Sequence, residues 1–154
     1  RVSEPVGQRQ ARRIGLSKEG QEREEAMATV TVDHIHRRSP DPEATAGFYE
    51  KMFGATVHRS SPNRKPRVDV DFCGQMVFIA QVSADDKVAS PPMSPYLGLD
   101  HVGLTVSGID DVVADLKKKG ADFTMEPTTI RPGTRIAFLR GPQDGTSELV
   151  DRNA

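Results

Sequence analysis

Two histidines in nearly identical contexts are the residues of this sequence best suited to chemistry. His34 lies in Val32-Asp33-His34-Ile35, and His101 lies in Leu99-Asp100-His101-Val102, which is 101 − 34 = 67 residues later. An imidazole changes its charge near neutral pH and is a common metal ligand. A repeated histidine can therefore bind a divalent ion or transfer a proton, whereas either one alone could simply be a satisfied polar residue on a strand.

The elements around the two histidines also repeat, which indicates an internal duplication. Alternating apolar residues predict a strand at each histidine, and an amphipathic pattern predicts a helix after it. Asp41-Pro42 suits the start of the first helix, while Gly54 and Gly120 suit the ends of the two helices. The predicted order in each half is therefore β-α-β-β-β. The predicted elements are strands at 29–38, 55–60, 67–72 and 76–80 with a helix at 42–53, then strands at 97–106, 121–126, 135–140 and 146–151 with a helix at 110–119.

The 154 residues divide by composition into a leader and one folded region. Residues 1–27 alternate charges with few large apolar groups, so we expect a disordered or frayed-helical leader. We assign residues 28–152 to a single domain that contains both halves, separated by a polar, proline-bearing connector. The expected boundaries are 28–82 for module one, 83–96 for the connector and 97–152 for module two.

Composition limits the classes of partner. The net charge is -1 and the sequence pI is about 6.5, so the chain has no broad basic field for nucleic acid. No stretch approaches the roughly 20 apolar residues of a membrane helix, and nothing at the front resembles a signal peptide. The single cysteine, Cys73, cannot form an internal disulfide and agrees with a reducing compartment. We therefore expect a cytoplasmic protein without a nucleic-acid or membrane partner.

The sequence resembles the vicinal oxygen chelate superfamily in three features. These are the duplicated β-α-β-β-β order, the Asp-His on the first strand of each half and the segment from Gly141 to Val150 at the last strand. The resemblance covers residues 29–152. Members include glyoxalase I, methylmalonyl-CoA epimerase, extradiol dioxygenases, fosfomycin-resistance transferases and metal-free bleomycin-binding proteins. The resemblance implies an α+β fold in which two tandem βαβββ modules form an open, curved eight-stranded barrel-like sheet around a metal cavity.

In that superfamily the metal ligands come from the first and last strands of each module. Matching strand by strand implies His34, His101 and Glu148 as the ligands of this chain. Two neutral imidazoles and a carboxylate suit a divalent ion and leave positions for two adjacent substrate oxygens. The fourth family position falls on Val77 or Phe78, and neither side chain can bind a metal.

A second histidine on the first strand could compensate for the missing donor. His36 lies two residues beyond His34 on the same face, where it could be a fourth ligand, a general base or a polar residue that lines the barrel. Gln81 is a weaker substitute, and His58 is more simply a solvated strand histidine. Three arginines could hold an anionic substrate tail, although exposed arginines usually only solvate a surface: Arg38, Arg131 and Arg135.

The resemblance implies a divalent-metal-dependent lyase or isomerase of the glyoxalase type, with Zn, Ni, Mn, Co or Fe as the ion. The expected catalytic residues are His36 and Glu148, the partner is a small-molecule substrate, and the assembly is a homodimer. Two alternatives stay open. One is an extradiol-type dioxygenase or a fosfomycin-type thiol transferase on the same three ligands. The other is a metal-free small-molecule binding or resistance protein, which the absence of Trp disfavours.

Overall fold

The computed structural model describes residues 12–13, 29–92 and 95–154. The chain divides into two compact units, Arg1–His34 and Ile35–Ala154. Within the expected leader, the structure describes Arg12–Arg13 as strand β1, which pairs antiparallel with β2, Thr29–Val30. The rest of the leader prediction lies outside the described residues.

The predicted β-α-β-β-β order occurs twice. Module one consists of β3 (His34–Ser39), α1 (Pro42–Phe53), β4 (Thr56–Ser60), β5 (Arg67–Phe72) and β6 (Gln75–Gln81). Module two consists of β7 (His101–Thr105), α2 (Ile109–Lys118), β8 (Asp122–Arg131), β9 (Thr134–Arg140) and β10 (Thr146–Asp151). Short 3-10 turns precede β5 and β10, at Pro62–Arg64 and Pro142–Asp144.

Each module forms one four-stranded sheet, and the two sheets have the same strand order. The orders are β3-β6-β5-β4 and β7-β10-β9-β8. Strand β10 runs parallel to β7 and antiparallel to β9. The first and last strands of each module are therefore neighbours, as the tandem βαβββ fold requires. Among the described residues the sheets stay separate and do not close into a barrel, so the eight strands do not form one sheet.

The two helices begin in different ways. In α1 the carboxylate of Asp41 accepts a hydrogen bond of 2.9 Å from the backbone N–H of Ala44, which confirms the predicted cap. In α2 the first position is Gly108, which offers no side chain. The carboxylate of Asp151, at the end of β10, instead accepts hydrogen bonds from the N–H groups of Gly108 and Ile109 at 2.9 and 3.1 Å. Neither helix of the described residues is long and apolar enough to cross a membrane.

Helix α1 packs against both modules. Tyr49 joins a buried cluster with residues of β5 and β6 such as Val70. Met52 joins a second cluster that contains Leu116 of α2 and Leu149 of β10. Because one helix contributes to both clusters, burial of its apolar side chains ties the two modules together.

The first strand of each module is shorter than predicted. The expected strand at 29–38 is divided into β2 and β3, and the strand expected at 97–106 extends only over His101–Thr105. In both modules the regular strand begins at the histidine, directly after an aspartate whose carboxylate contacts the histidine ring.

Candidate metal centre

His101 and Glu148 meet on neighbouring parallel strands of module two. The β7–β10 register places Thr146 beside His101 and Glu148 beside Gly103. The Nε2 of His101 lies 3.3 Å from Oε2 of Glu148, and both side chains are partly shielded from solvent. A Cβ on Gly103 would lie 3.4 Å from the same Oε2, which is an ordinary contact distance.

The ring of His101 is held in place from two further directions. Its Nδ1 lies 2.8 Å from Oδ2 of Asp100, and its ring meets Phe138 edge to face at a centroid distance of 5.2 Å. A hydrogen bond from Nδ1–H to a carboxylate fixes the tautomer that leaves a lone pair on Nε2. In that tautomer the lone pair of Nε2 faces the carboxylate of Glu148, and a metal ion bound between these two atoms would remove the repulsion between them.

His34 has the same local arrangement in the unit Arg1–His34. Its Nδ1 lies 2.6 Å from Oδ2 of Asp33, and the histidine side chain is about one third exposed, at 36%. Each Asp-His pair therefore orients its own ring in the same way. Sequence reasoning noted the repeat but missed the orienting role of Asp33 and Asp100, although the direct Asp-His adjacency is a signal for it.

The spacing of the His101–Glu148 pair fits a divalent metal. Zinc–nitrogen and zinc–oxygen bonds of about 2.0–2.2 Å place two ligands about 3.0 Å apart at a right angle and about 3.4 Å apart at the tetrahedral angle. The observed 3.3 Å falls within this range. Across the described ranges, no group of three or more His, Cys, Asp and Glu side chains is close enough to hold a metal ion. His101 and Glu148 therefore supply two donor atoms for a metal ion.

Module one carries an aromatic residue at the matching position of its last strand. Val77 is buried in the core, so Phe78 on the opposite face of β6 is the counterpart of Glu148. In the sheet register, Phe78 lies opposite Asp69 of β5, whereas Glu148 lies opposite Phe138 of β9. The carboxylate and the aromatic ring have therefore exchanged strands between the modules.

Asp69 is a buried carboxylate of which only one oxygen forms a hydrogen bond within the described residues. Its Oδ2 accepts a hydrogen bond of 2.7 Å from Nε of Arg67, whose guanidinium stacks on the ring of Phe78 at 4.2 Å. Its Oδ1 is buried and has no hydrogen-bond partner among the described residues. Nothing in the local sequence separated Asp69 from the neighbouring strand aspartate Asp71, so sequence reasoning missed it.

A cavity of about 1010 Å³ lies in the unit Ile35–Ala154, between α1, α2 and β7. Its walls are mainly apolar, and the residues that define them include Tyr49, Met52, Leu104 and Leu116. His36 and Arg37 of β3 also line it. The volume is that of a site for a small organic molecule, but none of the candidate ligands His34, His101 and Glu148 lines it.

The remaining candidates lie elsewhere. His58 is exposed on β4, as expected of a solvated histidine. Arg135 forms an ion pair with Asp110 of α2, and the Nε of Arg131 donates to Thr134 at 3.3 Å, so both arginines have local partners. The structure leaves Arg38 and Gln81 exposed, at the ends of β3 and β6.

The fold agrees with comparisons to known proteins. Residues 33–138 match the family model of the Glyoxalase/Bleomycin resistance protein/Dioxygenase superfamily. A lactoylglutathione lyase from Arabidopsis thaliana is 25% identical over 124 residues, which cover 77% of this chain and 43% of that protein. The mitochondrial methylmalonyl-CoA epimerase of Homo sapiens is 29% identical over 126 residues, which cover 78% of this chain and 71% of the epimerase.

Solved structures show the same fold. A glyoxalase I variant from Zea mays aligns with a TM-score of 0.63 and 22% identity, covering 79% of this chain and 44% of that chain. The chain thus spans less than half the length of the plant relatives that it matches.

Proposed function

Because the chain belongs to the glyoxalase/bleomycin resistance protein/dioxygenase superfamily, we propose that it is a divalent-metal-dependent lyase or isomerase of the glyoxalase type. Its substrate is a small molecule that binds through two adjacent oxygens. The observation that carries the proposal is the 3.3 Å approach of Nε2 of His101 to Oε2 of Glu148. Asp100 contacts Nδ1 of His101 and so leaves Nε2 available as a ligand, which gives His101 and Glu148 the arrangement of two metal ligands.

His34, His101 and Glu148 would hold the metal. When bound, the ion supplies positive charge to two neighbouring substrate oxygens and so stabilises the charge that develops when an adjacent carbon loses its proton. The chain itself supplies the group that accepts the proton. His36 is our candidate, because it follows His34 by two residues on the same strand and imidazoles commonly act as general bases. Glu148 is the second candidate, since a ligand carboxylate has a further oxygen free to accept a proton.

The names of two relatives indicate which reactions to assay first. One is a lactoylglutathione lyase and another is a methylmalonyl-CoA epimerase, so formation of lactoylglutathione and epimerisation of methylmalonyl-CoA are the two reactions to assay first. Both names denote a lyase or an isomerase rather than an oxygenase. This difference favours lyase or isomerase chemistry over an extradiol-type dioxygenase.

A metal-free small-molecule binding protein is the second candidate function. The apolar cavity of about 1010 Å³ favours it, because such a volume suits an organic ligand without any metal. Metal content separates the two functions. Protein purified without added metal and analysed by mass spectrometry should contain zinc, nickel, manganese or cobalt if our proposal holds. Iron would favour oxygenation, and no metal even after incubation with these ions would favour the binding protein.

Four alanine variants test the ligand set. We expect His34→Ala, His101→Ala and Glu148→Ala each to lose bound metal, because a three-ligand site has no spare donor. His58→Ala is the matched control, since it removes an exposed strand histidine outside the set. Equal metal occupancy in all four variants would refute the site.

His36→Ala should keep the metal and lose activity, and loss of metal in this variant would make His36 a ligand.

We further propose a homodimer. The first strand of each module is an outer strand of its sheet, and exposed strand edges are usually paired or covered. Leu97 and Leu99, just before β7, are largely exposed at 103% and 69%, which favours a covering partner. A monomer of about 16.8 kDa in light scattering would contradict the dimer. Mixing His34→Ala with Glu148→Ala protein should restore activity only if ligands come from both chains.

A further inference from the structure

The turn that leads into β10 is held by module one. It runs from Gly141 to Gly145 and contains two consecutive residues other than glycine with left-handed backbones, Gln143 at φ 50° and Asp144 at φ 54°. Such a conformation is unfavourable for residues with a side chain and persists only where surrounding contacts fix it. Two backbone hydrogen bonds close the turn, from Gly141 to Gly145 and from Gly145 to Pro142. Side chains of β3 and α1, about a hundred residues earlier in the chain, add contacts from outside it.

Arg37 of β3 forms the first of these contacts. Its Nη2 donates a hydrogen bond of 2.8 Å to the carbonyl oxygen of Pro142, and its Nη1 donates one of 2.8 Å to the hydroxyl of Tyr49 in α1. A Cβ on Gly145 would lie only 2.9 Å from Nη2, so the guanidinium packs directly on the turn. Burial raises the pKa of Tyr49, which keeps its hydroxyl neutral and able to accept from Arg37.

Gln143 forms the second contact. Its Nε2 lies 3.3 Å from Oγ of Ser39 and 3.2 Å from Oγ1 of Thr45, and these two hydroxyls lie 2.8 Å from each other. Ser39 and Thr45 are fully buried, at 0% and 1% exposure. A satisfied network of buried polar groups fixes geometry more strongly than a surface contact does.

The turn is connected directly to the candidate metal ligands. Thr146, the first residue of β10, pairs with His101, and Glu148 follows on the same strand. A shift of the turn would therefore displace the start of the strand that carries Glu148.

We propose that Arg37 is a positioning residue that sets the His101–Glu148 geometry by clamping the Gly141–Gly145 turn. The inference rests on the proposed function, because it concerns the donors of the same site. Module one would then contribute to the site through its histidines and also by holding the turn before β10. Arg37 follows His36 directly on β3, so the strand that carries the candidate proton acceptor also holds the turn before the carboxylate strand.

The test compares Arg37→Met with Arg135→Met. Both variants remove one arginine, but Arg135 pairs with Asp110 of α2 and does not contact the turn. In metal-free protein, we expect Arg37→Met to shift the NMR signals of the His101 ring and the Glu148 side chain, while Arg135→Met leaves them unchanged. On titration with Co²⁺, Arg37→Met should bind about tenfold more weakly and show an altered visible spectrum at saturation.

Gly145→Ala is the second variant, in case Arg37→Met does not fold. It keeps the arginine and pushes a methyl group against the guanidinium, so it should give the same NMR and Co²⁺ signatures. The inference is overturned if folded Arg37→Met or Gly145→Ala shows wild-type signals for His101 and Glu148, or if Arg135→Met changes them equally. Failure of the wild-type protein to bind Co²⁺ would refute the proposed function, and the NMR comparison would still decide the role of Arg37.

Discussion

The two modules share one topology but place their carboxylates on different strands. In module two, Glu148 lies on the last strand opposite Phe138, within 3.3 Å of His101. In module one, Phe78 occupies the last strand opposite the buried carboxylate of Asp69, which pairs with Arg67. Module two thus has a carboxylate beside its histidine, whereas the carboxylate of module one forms an ion pair. We therefore expect the anionic metal ligand to come from module two.

The largest expected effect comes from giving module two the side chain of module one. Glu148→Phe removes the only carboxylate of the proposed ligand set and replaces it with the aromatic type found at Phe78. We expect metal affinity to fall roughly 100-fold or more, because a missing ligand has no substitute among the neighbouring residues. Isothermal titration with Zn²⁺ measures the change. An unchanged affinity would show that the modules do not differ in the way described.

The next effect concerns the aspartates that the modules share. Asp100→Asn removes the carboxylate that orients His101 and should weaken metal binding about 10- to 100-fold, as loss of an outer hydrogen-bond partner commonly does. Asp33→Asn is the equivalent change beside His34. We expect the two variants to have similar Zn²⁺ affinities. A loss confined to Asp100→Asn would mean that only the histidine of module two binds the ion.

A smaller gain should follow from giving module one the arrangement of module two. The double variant Phe78→Glu/Asp69→Phe copies the Glu148–Phe138 pair and restores a carboxylate at the fourth family position. We expect Zn²⁺ affinity to rise about tenfold. The single variant Asp69→Phe serves as the control and should show no gain. Equal affinities of the double variant and the control would place Phe78 outside reach of the metal.

The smallest effect concerns the helix caps. Backbone hydrogen bonds from Asn153, Ile109 and Gly108 hold the pKa of Asp151 below its usual range. Because the folded-state pKa lies below the unfolded value of about 3.9, the stabilisation is complete above about pH 5 and is lost as the pH falls through the folded-state pKa. Asp151→Asn should therefore lower the unfolding temperature at pH 7 by about 4 °C. The unfolding temperature of this variant should also fall less steeply than that of the wild type as the pH is lowered.

Asp41→Asn provides the comparison in module one. Asn caps a helix about as well as Asp, and here the cap belongs to the helix itself, so we expect stability within about 0.5 kcal/mol of wild type. Thermal unfolding between pH 3 and pH 7 measures both variants. Equal acid sensitivity of wild type and Asp151→Asn would contradict the role given to Asp151.

Local signals account for the parts of the fold that the sequence predicts well. The N-cap at Asp41 and the left-handed residue Gly54 that ends α1 are short-range features, and both predictions are confirmed. The alternating strands β5 and β10 lie at the predicted residues for the same reason. The Asp-His repeat marks the two first strands, although each strand begins only at its histidine.

Contacts between distant residues account for what the sequence does not predict. Arg37 meets Pro142 across 105 residues, and Asp151 caps a helix that begins more than 40 residues earlier. Neither pair has a spacing or a motif that links its members in the sequence. The position of Asp69 depends on sheet register in the same way, because only the pairing with Phe78 shows that the two modules have exchanged these side chains. The predicted ligand set, the dimer and the reaction stay predictions.

The most direct test of the central claim, that His101 and Glu148 bind one divalent ion, is anomalous diffraction from crystals grown with Zn²⁺. We expect a single zinc peak within about 2.0–2.2 Å of both Nε2 of His101 and Oε2 of Glu148. The Nδ1 of His101 should still contact Asp100. Zinc bound elsewhere, or at only one of the two side chains, would contradict the account.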